Sequence, residues 1–179
     1  MATTRFILGI ICLIGLIGHR LPDRYLLTIA QQQILDIANS QLHVRETAKN
    51  TFGKEIKQYL NYAKLPEGNP YCAAFISWVY YKAGHTQPRT AWSPDLFPIE
   101  KRIKEPKAAD VLGIYSLVKQ RIVHCGIVER LQNDWVISIE GNTNADGSSD
   151  GDGNYRKWRH KRTIKYFARW LDTKEVANE

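Results

Sequence analysis

The chain has 179 residues, of which 44% are hydrophobic and 24% charged, so it has the composition of a globular protein and enough length for a substantial core. Its 25 lysine and arginine residues outnumber 18 acidic ones, and the net charge of +7 suits an anionic partner such as nucleic acid, lipid headgroups or bacterial cell-wall polymer, or simply a soluble surface. The three cysteines, Cys12, Cys72 and Cys125, exclude a disulfide framework, and we expect no disulfide.

Residues 6–18 form an unbroken apolar run near the N-terminus, with basic residues close to both ends. The run has the length of the core of a secretory signal and is short for a helix that crosses a bilayer, which needs ~20 apolar residues. We therefore interpret residues 1–20 as a signal peptide or membrane anchor. The protein is then expected to be exported to the periplasm or cell envelope, with residues 6–18 as a possible membrane tether. A buried core helix is the alternative, which the terminal position disfavours.

Three later segments have the apolar spacing of helices. Residues 26–42 and 54–63 repeat apolar positions three and four residues apart, which predicts the first two helices. The third is predicted to start at Pro70, whose fixed φ suits a first helical turn, and to end at Gly84. Cys72 then lies in the first turn, where unpaired N–H groups and the helix dipole stabilise a thiolate. It also lies on the apolar face of this helix, as a buried, inert cysteine would.

The second half of the chain has the pattern of strands. After a segment with four prolines, short β-rich runs follow one another with short turns, which allow only antiparallel neighbours. Helices first and strands afterwards predict an α+β domain, with the N-terminal helices packed on an antiparallel sheet of about five strands. The five runs are residues 111–117, 122–130, 135–141, 155–161 and 165–170.

A cysteine nucleophile needs a base, and the best candidate is His124 in an apolar strand. Strand alternation places His124 on one face with Ile122 and Gly126, and Gly126 leaves open space beside the imidazole. Cys125 is expected to pack on the opposite side. A histidine in a strand is more often a structural residue, so His124 gains significance only beside Cys72.

The next strand supplies a third group that could orient the base. Glu140 and Asn142 share a face there, and either could accept the proton on the imidazole nitrogen that does not face the sulfur. A three-residue turn over residues 132–134 would set His124 opposite Asn142 and diagonal to Glu140. A two-residue turn would put them on opposite faces, so the catalytic hypothesis requires an odd-length turn.

Three stretches of this sequence carry a family resemblance: Asn-Pro-Tyr-Cys-Ala-Ala-Phe-Ile-Ser-Trp at residues 69–78, His-Cys-Gly-Ile-Val-Glu at 124–129 and Ile-Glu-Gly-Asn-Thr at 139–143. Together they resemble the CHAP family of cysteine- and histidine-dependent amidohydrolases and peptidases, which belongs to the papain-like superfamily. The resemblance implies a papain-like cysteine hydrolase fold over residues 21–179. It also implies that Cys72 is the nucleophile, His124 the base and Glu140 the orienting residue, with Asn142 assisting or substituting.

By the same resemblance, the substrate is peptidoglycan, cut at an amide bond either as an endopeptidase or as an N-acetylmuramoyl-L-alanine amidase. Two departures from the family pattern stand out. Ala109-Asp110 occurs where relatives commonly have Gly-Asp, and no glutamine shortly before Cys72 completes an oxyanion hole. The backbone N–H of Cys72 can donate there, with Asn69 or Tyr71 as a possible second donor.

The remaining expectations concern ligands and partners. The Asp/Gly-rich stretch 142–153 lacks the full calcium-loop pattern and is interpreted as a solvated loop, and we expect neither a metal nor a cofactor. The basic run after it is interpreted as a solvated sheet edge, with binding of the cell wall as the alternative and no nucleic acid bound. The protein is expected to be a monomer. The alternative functions are a catalytically inactive cell-wall-binding module and a papain-like protease or deamidase that acts on proteins.

Overall fold

The computed structural model describes residues 27–47, 52–146 and 151–171. Within these ranges the chain forms three α-helices followed by a six-stranded antiparallel sheet. The predicted signal or anchor segment, residues 1–20, and Cys12 lie outside the described residues. No helix in the described ranges has the length and apolarity to cross a membrane. The helices are α1 (Ile29–Ser40), α2 (Lys54–Tyr62) and α3 (Cys72–Lys82).

The three predicted helices are confirmed, with shorter limits. Helix α1 begins after Thr28, whose hydroxyl accepts the Gln31 N–H at 3.2 Å while the Gln31 side chain accepts the Thr28 N–H at 3.0 Å. This reciprocal cap satisfies two backbone donors that a helix start leaves open. Pro70 precedes α3 instead of forming its first turn, because Tyr71 is the N-cap. Cys72 is therefore the first helical residue.

The α+β prediction is confirmed, but the sheet has six strands, not five. Their spatial order is β1-β6-β2-β3-β4-β5, and every neighbouring pair is antiparallel. The unpredicted strand is β1, which has only two residues and pairs with β6, so it is too short to show an alternating pattern. The strands are β1 (Arg102–Ile103), β2 (Val111–Ser116), β3 (Arg121–Gln132), β4 (Trp135–Thr143), β5 (Gly153–His160) and β6 (Tyr166–Ala168).

The turn between β3 and β4 differs from the prediction, yet the register near the site is the predicted one. Gln132 pairs with Trp135, which leaves a two-residue turn instead of three residues. A β-bulge at Glu129 then adds one residue to β3, because pairing shifts by one between Val128 and Arg130. Beyond the bulge Val128 pairs with Ser138 and Ile127 with Ile139, which is the register that a three-residue turn would have given. The extra residue in the bulge therefore shifts the register by one, as a third turn residue would have done.

A second bulge breaks the alternation predicted for β3. Ile114 pairs with His124, but Tyr115 pairs with Ile122, so Val123 is the extra residue. Ile122, expected on the same face as His124, instead joins Cys125 and Ile127 in the main core. The bulge therefore lies directly before the histidine.

The main core lies between the helices and the sheet, with α3 at its centre. Nine of the eleven residues of α3 are buried, so this helix has almost no solvent-facing side. Tyr59 of α2 contacts three aromatic rings of the α3 region at centroid distances of 4.9 to 6.0 Å. Such contacts between rings stabilise the fold beyond what the burial of their apolar surface contributes. The segment that begins with Cys72 is thus fixed on a rigid, buried helix.

Candidate active site

Cys72 begins α3 and is 94% buried, with its side chain facing β3 and a loop before the sheet. The Cys125 thiol lowers the pKa of Cys72 most, and although burial acts in the opposite direction, His124 and Ser93 lower it further. The net result is a pKa well below that of an ordinary thiol. A thiol of lowered pKa at a helix N-terminus is the arrangement that stabilises a nucleophilic thiolate.

His124 lies on β3 and is almost fully buried. Its Nε2 is 2.9 Å from Glu140 Oε2, whereas its Nδ1 has no hydrogen-bond partner among the residues that the structure describes. Burial by itself lowers the pKa of His124, but Cys72 and Glu140 raise it to about 9. The two partners therefore favour an imidazolium beside a thiolate, with Nε2 fixed by the carboxylate.

Glu140 on β4 is fully buried and has four hydrogen-bond contacts. Besides His124, the Ser138 hydroxyl donates to Oε1 at 2.6 Å, and Arg159 of β5 donates to Oε1 at 2.9 Å and to Oε2 at 2.5 Å. Burial raises the pKa of Glu140, yet Arg159 and His124 lower it to about 2. The carboxylate is thus ionised and held from two sides, which fixes the plane of the imidazole.

Ser138 and Arg159 belong to this site without having been predicted from the sequence. Ser138 alternates with Glu140 on β4, so strand periodicity could have placed the two on one face. Arg159 lies in a run of basic residues that the sequence did not distinguish from a solvated edge. Its role became visible only through the pairing of β4 with β5, in which Arg159 faces Val136.

Asn142, the other predicted orienting residue, contacts the backbone of the segment before Cys72. Its Oδ1 accepts the backbone N–H of Tyr71 at 3.0 Å, and its own backbone has a left-handed φ of 56°. Asn142 thus ties the end of β4 to the residue before Cys72, and of the two polar candidates Glu140 is the one in contact with the imidazole. Tyr71 and Asn69 were the suggested second oxyanion donors. The Tyr71 N–H is engaged by Asn142, and the Asn69 amide donates to the Pro66 carbonyl at 3.1 Å.

Cys125 packs in the main core with Ile127, as expected for the side of the strand opposite His124, but its sulfur also lies beside the site. Its sulfur is 3.8 Å from the Ser93 hydroxyl, which in turn is 3.3 Å from the Cys72 sulfur. Burial, followed by the effect of Cys72, raises the pKa of Cys125 well above its ordinary value. Of these two buried cysteines, one is therefore set up as a thiolate and the other as a protonated thiol.

Gly126 does not leave open space, because the Glu140 side chain fills it. A Cβ atom on Gly126 would lie 2.5 Å from Glu140 Cγ, which is too close for both to remain in place. The absence of a side chain at residue 126 is thus what allows the carboxylate to reach His124.

Gly126→Ala is expected to displace Glu140 and to lower hydrolytic activity, with a loss of stability of about 1–3 kcal/mol from overpacking. The matched control is Gly153→Ala on β5, whose Cβ would lie 2.6 Å from the Val44 carbonyl oxygen, a contact that does not involve the carboxylate. Thermal unfolding and substrate cleavage are measured for both variants. Equal losses of activity at equal losses of stability would contradict the role assigned to Gly126.

The basic residues of β5 are largely engaged within the chain. Arg156 donates to both carboxylate oxygens of Glu129 at 2.8 and 2.9 Å, and Lys157 contacts the carbonyls of Asn144 and Ala145. In the described part of the chain, no cluster of three or more His, Cys, Asp or Glu side chains is placed to bind a metal ion. Residues 147–150 of the Asp/Gly-rich stretch lie outside the described residues.

Comparisons with protein-family models and with curated proteins give no match. A functional assignment therefore depends on the chemistry of the site itself. That chemistry consists of a buried thiol with a lowered pKa, a histidine beside it and a carboxylate held by an arginine.

Proposed function

We propose that this protein is a cysteine hydrolase that cleaves amide bonds in peptidoglycan, either as an endopeptidase or as an N-acetylmuramoyl-L-alanine amidase. The observation that carries the proposal is the contact of the His124 imidazole with the buried Glu140 carboxylate, beside a Cys72 thiol of lowered pKa. Nucleophile, base and orienting group are the three parts that thiol hydrolysis needs. A papain-like fold of the CHAP type is part of the same proposal and agrees with helices packed on an antiparallel sheet.

The proposed reaction has two steps. The Cys72 thiolate attacks the amide carbonyl, and the His124 imidazolium gives its proton to the leaving amine as the C–N bond breaks. A water molecule, deprotonated by His124, then attacks the thioester and releases the carboxylic acid and the thiolate. Glu140 keeps the imidazole in the orientation that both proton transfers require, because Arg159 and Ser138 hold the carboxylate.

The oxyanion that forms during attack needs hydrogen-bond donors near the helix start. Cys72 is the first residue of α3, and the N–H groups of a first helical turn have no acceptor inside the helix. The backbone N–H of Cys72 is therefore the proposed first donor, in a position where the helix dipole also favours negative charge. Asn142 supports this geometry by fixing the Tyr71 peptide next to it.

The choice of peptidoglycan as substrate is supported by sequence features. The three matching stretches resemble the CHAP family, and each of the three contributes a residue to this site, namely Cys72, His124 and Glu140. The net charge of +7 suits an anionic wall polymer, and the apolar run at residues 6–18 suits export to the envelope. We propose a monomeric enzyme there, with that run as a possible membrane tether.

The test is digestion of purified peptidoglycan by the full chain, followed by mass spectrometry of the soluble fragments. New fragments are expected, and their masses identify the bond that is cut. A sample of the protein blocked with iodoacetamide serves as the control and should give none. Absence of fragments from the active protein would contradict the proposal. Sedimentation of the protein with the wall material would then favour a catalytically inactive wall-binding module. Cleavage or deamidation of a protein substrate would favour a papain-like protease or deamidase that acts on proteins.

A further inference from the structure

Ser93 is a buried hydroxyl next to the proposed nucleophile that the two-step reaction above does not use. Its side chain is 95% buried, and its Oγ is 3.3 Å from the Cys72 sulfur. It belongs to the proline-rich segment before the sheet, at the start of a short 3₁₀ helix over Ser93–Leu96. No regular periodicity marks this segment, so the sequence did not indicate a role for Ser93.

The loop that carries Ser93 is fixed to the helix that carries Cys72. Ser77 of α3 donates to the Thr90 carbonyl at 2.8 Å and accepts the Thr90 N–H at 3.0 Å. The Thr90 hydroxyl in turn accepts the Trp92 N–H at 2.9 Å, one residue before Ser93. Both atoms of the Ser93–Cys72 contact are therefore positioned by α3, which makes the contact a built feature of the site.

The direction of the hydrogen bonds around Ser93 follows from the protonation of its neighbours. The Cys125 thiol keeps its proton, and its sulfur lies 3.8 Å from the Ser93 oxygen. A Cys72 thiolate has no proton to donate, so its contact with Ser93 requires the hydroxyl to be the donor. The Ser93 hydroxyl thus donates to the negative charge on Cys72, where a hydrogen bond is strongest, and the Cys125 thiol lies beside both groups.

We propose that Ser93 is a further catalytic residue, whose hydroxyl donates a hydrogen bond to the Cys72 thiolate and holds it ionised and aligned before attack. The proposal depends on Cys72 being the nucleophile of the proposed hydrolase. When the carbon–sulfur bond forms, the sulfur loses its negative charge and the hydroxyl is released from it. No proton is transferred to or from Ser93 in this role.

The test measures the pH dependence of Cys72 alkylation by iodoacetamide in the full chain, with the modified peptide identified by mass spectrometry. Ser93→Ala is expected to move the rise in alkylation rate to higher pH, with a rate about tenfold lower on the acidic side of the profile. Ser93→Thr keeps the hydroxyl and should restore most of the wild-type profile. The rate of wall digestion, expressed as kcat/KM, should shift with pH in the same way.

The other groups that face Cys72 are His124 and Cys125, with Glu140 and Arg159 behind the histidine, and all of them are unchanged in these variants. Ser116→Ala, at a turn hydroxyl that accepts the Lys119 N–H, is the matched control and should leave the profile unmoved. Thermal unfolding checks that Ser93→Ala is folded. If it is folded and its pH profile of alkylation coincides with that of wild type, the proposal is overturned. Alkylation needs no substrate, so this outcome is distinct from a failure to digest peptidoglycan.

Discussion

Replacement of Cys72 by alanine is expected to lower the rate of peptidoglycan cleavage by about a thousandfold or more, because the thioester of the proposed reaction forms on the Cys72 sulfur. The fold should survive, since alanine removes a single sulfur atom from a helix start whose backbone is held by Asn142 through Tyr71. The rate is measured from the appearance of soluble wall fragments by mass spectrometry. Far-ultraviolet circular dichroism and thermal unfolding check that the variant is folded.

Cys125→Ala is the matched control, because both cysteines are buried and both contact Ser93. The raised pKa of Cys125 keeps it protonated, so it acts only as a donor in the surroundings of the thiolate. We expect this variant to lose about ten- to a hundredfold in activity, the scale of one hydrogen bond to a charged group. Loss of all activity in Cys125→Ala with retention in Cys72→Ala would reverse the assignment of the nucleophile.

The helices and most strands could be predicted because their apolar residues recur with the periods of regular structure. The bulges could not, since one extra residue at Val123 or Glu129 leaves no mark in an alternating pattern. Each bulge changes which residues share a face of the sheet. The two-residue turn at residues 133–134 would have placed His124 and Glu140 on opposite faces, and only the bulge at Glu129 brings them back together.

Three of the four predicted site residues, Cys72, His124 and Glu140, lie together in the structure, and the fourth, Asn142, lies next to them with a different partner. The sequence could nominate them because each residue type is needed for the chemistry. It could not nominate Arg159 or Ser93, because an arginine in a basic run and a serine in an irregular loop are common on surfaces. Their positions depend on strand pairing and on the tertiary contacts of a loop.

The second large effect is expected at the buried carboxylate. Glu140→Gln should lower the free energy of unfolding by roughly 3 kcal/mol at neutral pH, because Arg159 and His124 then lose the charge that compensates their burial. Equilibrium unfolding in urea measures this change. The pH dependence of wall digestion should change as well. Glu140 helps to raise the pKa of His124 to about 9, so without the carboxylate the loss of activity at alkaline pH should begin at lower pH.

Glu129→Gln is the matched control for this charge removal. Glu129 also accepts two hydrogen bonds from an arginine of β5, but that arginine, Arg156, is 41% exposed, whereas the Arg159 side chain is only 18% exposed. Ion pairs in contact with solvent contribute little to the stability of a fold. The free energy of unfolding of this variant should therefore fall by no more than about 1 kcal/mol. A loss as large as that of Glu140→Gln would contradict the distinction between the two pairs.

The dependence of the Glu140→Gln effect on pH separates electrostatics from packing. The folded-state pKa of Glu140 is about 2 against an ordinary value of 4.5, so the stabilisation from its ionised form is complete above pH 4.5 and is lost as the pH falls towards 2. Protonated glutamic acid resembles glutamine in size and charge. The difference in stability between wild type and variant should therefore be largest near neutral pH and should narrow between pH 4.5 and 2. A difference that stays constant across this range would show that glutamine disturbs the packing around residue 140, and that the carboxylate charge does not stabilise the fold.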